Sequence, residues 1–264
     1  MHTHTLAIAA ASTLFVSTAS AGVITFDPAD GFPLTTSLDG KPNTGSPQWS
    51  GNGSLYTLVS RDGVSTTDGA AQSDATSPAT FAPIGFTPDA AFLGAASTAA
   101  TGQFEYGFEL RNDTTPNSED FAVAHRIFIG QAGDGTAIRI NIFDNGQVEL
   151  AIGGGTVRVQ SPTANFDLDD ATGRYIPVAG VIDFDTSTYT LSFDGVQQTA
   201  NGSADLPFNA SGQTGFGSFV LQQGGSTDTN ARQITIDNLS AAVPEPASVV
   251  LLSLGALLLA RRRQ

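Results

Sequence analysis

Between residues 22 and 242 apolar side chains recur at alternate positions, in short runs broken by glycine, asparagine and aspartate. The clearest run is "QFEYGFELR", with Phe104, Tyr106, Phe108 and Leu110 on one face and Gln103, Glu105, Glu109 and Arg111 on the other. Successive strand side chains point to opposite faces, so this alternation predicts a strand with one buried side. "AIRINIFDNGQVELAI" predicts a hairpin. Ile138, Ile140 and Ile142 face inward, Asn145-Gly146 makes a type I′ turn, and Val148, Leu150 and Ile152 return. In "YIPVAGVIDFDTSTYTLSFDGVQQT" two inward rows follow, Ile176, Val178, Ile182 and Phe184, then Tyr189, Leu191 and Phe193, before Asp194-Gly195 starts another hairpin. "RQITIDNLSAA" points Ile234 and Ile236 inward and then changes parity, which predicts a bulge at Asp237-Asn238. Strands of this length and spacing, with no long amphipathic helix among them, indicate an all-β, two-sheet antiparallel sandwich. Pro78, Pro83 and Pro88 mark a loop region within it.

Charge narrows the partners. The chain holds 25 acidic and 11 basic residues, a formal charge of −14. Setting aside Glu245 and the three terminal arginines leaves 24 acidic and 8 basic residues, a charge of −16 for the central span. A field of that sign repels nucleic acid, and it keeps the protein soluble. There is no cysteine, hence no disulfide, no thiolate nucleophile and no cysteine-based metal site. His125 is the only histidine beyond residue 4, which removes multi-histidine metal sites and most histidine-dependent catalysis.

Both ends depart from the strand pattern. Leu6 to Val16 is an apolar run of signal-peptide length, followed by the small-residue site Ala19-Ser20-Ala21. Residues 1–21 are therefore expected to be removed, with cleavage after Ala21. At the other end stand Pro244-Glu245-Pro246, an uncharged leucine-rich stretch from Ala247 to Ala260, and Arg261, Arg262 and Arg263. As a helix that stretch rises about 21 Å, short of the roughly 30 Å hydrocarbon core, so it suits a temporary handle better than a permanent anchor. The arginines read as a cytoplasmic stop.

The tail, residues 243–264, resembles the PEP-CTERM protein-sorting signal: Pro-Glu-Pro, hydrophobic helix and terminal arginine cluster in that order, behind an N-terminal signal peptide. The resemblance implies an exported bacterial surface protein, held transiently at the inner membrane and processed by an exosortase near Pro-Glu-Pro. Such proteins are associated with exopolysaccharide. The segments "GQFEYGFELRN", "IDFDTSTYTLSFDG" and "ITIDNLS" are similar to the concanavalin A-like lectin/glucanase jelly roll, which implies that fold for residues 22–242.

Candidate chemistry is sparse. Glycanases of the jelly-roll superfamily carry alternating carboxylates on one strand face. Here "EYGFE" keeps Glu105 and Glu109 but has Gly107 between them. Four residues of strand separate those glutamates by about 13 Å, beyond the roughly 5 to 9.5 Å of a glycosidase pair. Both are expected to be solvent-facing strand acids. His125, on an apolar face with Phe121, Val123, Ile127 and Ile129, is expected to be a hydrogen-bonded core residue. Asp167, Asp169 and Asp170 are candidate oxygen ligands for Ca²⁺, a companion of jelly-roll lectins, set against a plain solvated loop. Trp49 and Tyr56 are candidate aromatic platforms for a glycan, although large aromatics more often fill cores, and Trp49 is better placed to cap the sandwich. The reading with most support is a noncatalytic exported protein of the cell surface or exopolysaccharide matrix that binds glycan or serves adhesion. The alternative is a divergent polysaccharide-active enzyme.

Overall fold

The structure is a computed structural model that describes residues 22–42, 48–74, 81–88, 92–93, 102–114, 122–130, 136–159, 168, 173–213, 215–224 and 232–243. Two antiparallel sheets account for nearly all of it. The first contains β1 (Gly22–Ile24), β3 (Tyr56–Ser60), β4 (Gly69–Ser73), β6 (Gln103–Asn112), β11 (Tyr175–Asp183), β12 (Thr188–Phe193), β13 (Val196–Gln197), β14 (Leu206–Pro207) and β16 (Ile234–Ala242). Its main path runs β13-β12-β11-β6-β16-β4-β3, with β1 on β16 and β14 on β12. The second contains β2 (Ser50–Gly51), β5 (Ala82–Phe86), β7 (Val123–Gly130), β8 (Ile138–Phe143), β9 (Val148–Ile152), β10 (Gly155–Arg158) and β15 (Ser218–Gln223), in the order β10-β9-β8-β7-β15-β5-β2.

Alternation decides what lies between the sheets. Phe104, Tyr106, Phe108 and Leu110 of β6 are buried, as are Ile138, Ile140 and Ile142 of β8 and Val148 and Leu150 of β9. One continuous apolar core results, with aromatic rings at one end packed edge to face: Phe86 on Trp49 at 4.9 Å and Phe108 on Phe219 at 5.8 Å. Burial of this area is the main stabilising term in a chain without disulfides.

Two turn expectations hold. Asp194 (φ 54°) and Gly195 (φ 77°) both take positive φ and join Phe193 to its partner Val196, a two-residue type I′ hairpin. The parity change in the last strand is a bulge: Asn238 sits at φ 50° and the β16–β6 register shifts between Asp237 and Ser240. A third is corrected. At Asn145-Gly146 only Gly146 has positive φ (88°), and its N–H donates to Phe143 O at 3.0 Å. That is a type I turn closed by a glycine bulge. Asp144 is held inside the turn, its N–H on Ala122 O and its Oδ1 accepting from Arg232 N. Pro83 is corrected too, for it lies within strand β5. It is tolerated near the sheet edge, where β5 meets only the two-residue β2 on one side and Pro83 O still accepts from Asn52 N.

Candidate functional site

The outward faces of the two sheets differ in character. On the nine-stranded sheet, Glu109 of β6 lies directly across from Asp237 of β16, and Arg61 ion-pairs with both carboxylates. Arg111 bonds Asp113, which also accepts from Thr235 and Gln72, and the Tyr175 ring has Arg61 and Arg111 at 4.3 and 4.8 Å. Burial pushes the Asp237 carboxyl up to about 6, against the lowering pull of Arg61. Glu105 is exposed as expected, but Glu109 is half-buried inside this network. Every carboxylate there is already engaged, which suits a clamp across strands β6 and β16.

The seven-stranded sheet presents a more open arrangement. Directly opposed residues share a face, so the register places Arg158 (β10), Glu149 (β9), Asn141 (β8), Arg126 (β7), Gln222 (β15) and Pro83 (β5) in one row across six strands. The row beside it runs Thr156, Ala151, Arg139, Phe128, Val220, Gly85 and Ser50. Both rows face away from the core, since the residues between them, Ile127, Ile140 and Leu150, belong to it. Even so, Phe128 and Asn141 are only 1% and 7% exposed. The middle of this face is sheltered, which strict alternation does not anticipate.

Polar atoms in the shelter lack protein partners. Asn141 Oδ1, Arg139 Nε and Ser218 Oγ are buried without a hydrogen bond. A buried unpaired polar atom costs roughly 1–3 kcal/mol, so three on one face favour a ligand or water that completes them. Arg126 stacks on Phe81, its guanidinium carbon 3.8 Å from the ring centre. At the β2 edge the face deepens into a cleft of about 330 Å³, lined by Ser50, Pro83, Gly85, Thr87, Ser218 and Gln222 among others. Gly85 makes part of that depth: a Cβ there would stand 2.6 Å from Phe219 O. Gln222 belongs to both the cleft and the first row, so the two are continuous.

The candidates named from sequence fall elsewhere. Trp49 and Tyr56 are both 0% exposed, so neither offers a stacking face to a glycan. Trp49 instead packs against Phe26, Phe86 and Phe219. His125 is the core residue expected, its Nε2 2.7 Å from Arg232 O and its pKa pulled down to about 4 by burial. Ala19, Ala21, Asp167, Asp169, Asp170, Pro244, Glu245, Pro246, Arg261, Arg262 and Arg263 lie outside the described residues. Among the described residues no helix is long and apolar enough to cross a membrane. The arginines of these two rows were missed because each strand shows only one of them. The available signal was "HRIF", "IRIN" and "TVRV", an arginine at an outward position in β7, β8 and β10.

No curated protein matches the chain in sequence. Among solved structures, the catalytic domain of the glycoside hydrolase family 131 protein from Coprinopsis cinerea superposes with a TM-score of 0.51 at 12% identity, covering 84% of this chain and 93% of that one. A sialidase gives 0.49 at 10% identity, over 75% of this chain, which spans only 17% of that protein. Cellulose induced protein Cip1 gives 0.43 at 14%, covering 71% of this chain and 86% of that one. At these identities the likeness concerns fold, and the fold is the jelly-roll sandwich of the concanavalin A-like type. Residues 242–264 match the PEP-CTERM protein-sorting motif. The chain is thus a jelly-roll domain that ends in a PEP-CTERM sorting signal, which implies export, surface association and processing by an exosortase.

Proposed function

We propose that the exported domain is a noncatalytic glycan-binding protein of the cell surface or exopolysaccharide matrix, and that the outward face of its seven-stranded sheet is the binding site. One observation carries this reading: a sheltered polar face with unpartnered Asn141, Arg139 and Ser218 atoms runs into a 330 Å³ cleft. That combination of a few convergent polar groups with an aromatic and a cleft is the composition of a small-ligand site. A glycoside hydrolase uses the same fold, so carbohydrate is the ligand class to test first, by analogy of fold alone. In the sheltered rows Glu149 is the sole carboxylate, and a glycosidase needs two. Retention of the full-length protein on immobilised polysaccharides, with a reducing-sugar assay on the same samples, tests the reading. Retention without new reducing ends is expected.

The enzyme alternative has its own foothold on the other sheet, where Glu109 and Asp237 are cross-strand neighbours and Asp237 is held near 6. Turnover of any polysaccharide that Asp237→Asn abolishes would establish it.

A further inference from the structure

We infer that the cleft beside β2 takes an uncharged sugar unit of the glycan, held by hydroxyl and amide groups alone, and that it excludes acidic sugars. The inference rests on the glycan-binding reading above and adds the charge class of the unit bound. Among the described residues that line the cleft, none carries a charge. Its polar groups are the hydroxyls of Ser50, Thr87 and Ser218 and the amide of Gln222. Arg126, directly across from Gln222, is held on the Phe81 ring and is not among the lining residues.

This chemistry sorts ligands by charge. A carboxylate carried into a cleft without a cation gives up hydration and gains no ionic partner. An ammonium group fares no better, since no carboxylate lines the cleft. A sugar hydroxyl loses little, because hydroxyl and amide side chains each offer both a donor and an acceptor. Ser218 is only 5% exposed and its Oγ has no hydrogen bond, so a ligand hydroxyl would complete it. Apolar surface is supplied by Pro83 and by Val220, which stands directly across from Gly85. A Cβ at Gly85 would come within 2.7 Å of Val220, so glycine keeps the hollow between Pro83 and Thr87 open. A C–H face of a sugar ring fits against such a surface. At about 330 Å³ the cleft is at the small end of ligand sites, a size for a short piece of glycan.

The test uses the full-length protein with dextran, galactomannan and xylan, each beside its carboxymethylated form. Binding is measured in about 1 M sodium chloride, where a Debye length of about 3 Å screens repulsion from the overall charge of −14. At least one neutral polymer is expected to bind, and its carboxymethylated form to bind at least about tenfold more weakly. That comparison needs no variant and no assumption about folding. Thr87 is exposed and lines the cleft, so Thr87→Lys adds a cation there without touching the core. The variant is expected to keep its melting temperature and to shift the ratio of the two affinities at least about tenfold towards the carboxymethylated form. Equal or tighter binding of the carboxymethylated polymers by the wild type would overturn the charge inference and leave glycan binding standing. An unchanged ratio in Thr87→Lys would overturn the placement of the sugar in this cleft. Failure to bind any polymer would overturn the glycan reading itself.

Discussion

The guanidinium of Arg126 lies 3.8 Å from the centre of the Phe81 ring, on the outward face of the seven-stranded sheet. A long side chain is thereby fixed beside its row partners Asn141 and Gln222. Cation–π contact at a partly desolvated site contributes about 1–2 kcal/mol. Phe81→Ala is therefore expected to weaken glycan binding about tenfold by titration, with little change in melting temperature, because Phe81 is not part of the core.

Trp49 should behave oppositely. Its indole is fully buried against Phe26, Phe86 and Phe219. Trp49→Ala is expected to cost about 3–5 kcal/mol in denaturant unfolding, while the folded fraction binds glycan like wild type. A stable variant with lost binding would return Trp49 to the ligand site.

Two buried groups give stability pH slopes of opposite sign. His125, buried with its Nε2 on Arg232 O, titrates near 4 when folded against an ordinary 6.5. Its neutral-form stabilisation is complete above 6.5 and is lost as pH falls towards 4. Asp237, beside Arg61 and Glu109, titrates near 6 against 3.8. Its contribution is complete below 3.8 and is lost as pH rises through 6. Each effect is on the order of 3 kcal/mol, so they largely cancel in the wild type. Asp237→Asn should uncover the His125 slope, seen as a steeper fall in melting temperature from pH 6.5 to 4. An unchanged profile would contradict the assignment.

Sorting is tested at the tail. Replacing Pro244, Glu245 and Pro246 with alanine keeps the hydrophobic stretch and the arginines. The variant is expected to accumulate as an unprocessed precursor by intact mass, while the wild type appears shortened. Identical masses that retain Arg263 would mean that the tail is only an anchor.

Local chemistry was legible in the sequence wherever a feature was complete within a few residues. The alternation of β6, the Asp194-Gly195 turn and the bulge at Asn238 each depend on neighbours along the chain. The turn at Asn145-Gly146 was misread because Asp144 is held from outside, by Ala122 and Arg232, which a local motif does not contain. The same limit hid the site. Arg126, Arg139 and Arg158 become one surface only through the register of β7 to β10, and Glu109 meets Asp237 from 128 positions away in the sequence. Trp49 stood among small polar residues, yet it is fully buried against Phe26, Phe86 and Phe219. Burial is a property of the fold, which its flanking sequence did not display.

The central claim is that the cleft face of the seven-stranded sheet holds a polysaccharide without cutting it. Ser50 is exposed on the edge strand β2 and lines the cleft, so Ser50→Trp should fill it without disturbing the core. The decisive measurement is co-sedimentation of wild type and Ser50→Trp with a polysaccharide that the wild type binds, followed by sizing of the polymer. The account predicts that wild type sediments, that Ser50→Trp remains in solution with an unchanged melting temperature, and that the polymer keeps its length. Equal sedimentation of the two proteins, or a polymer shortened by the wild type, would contradict it.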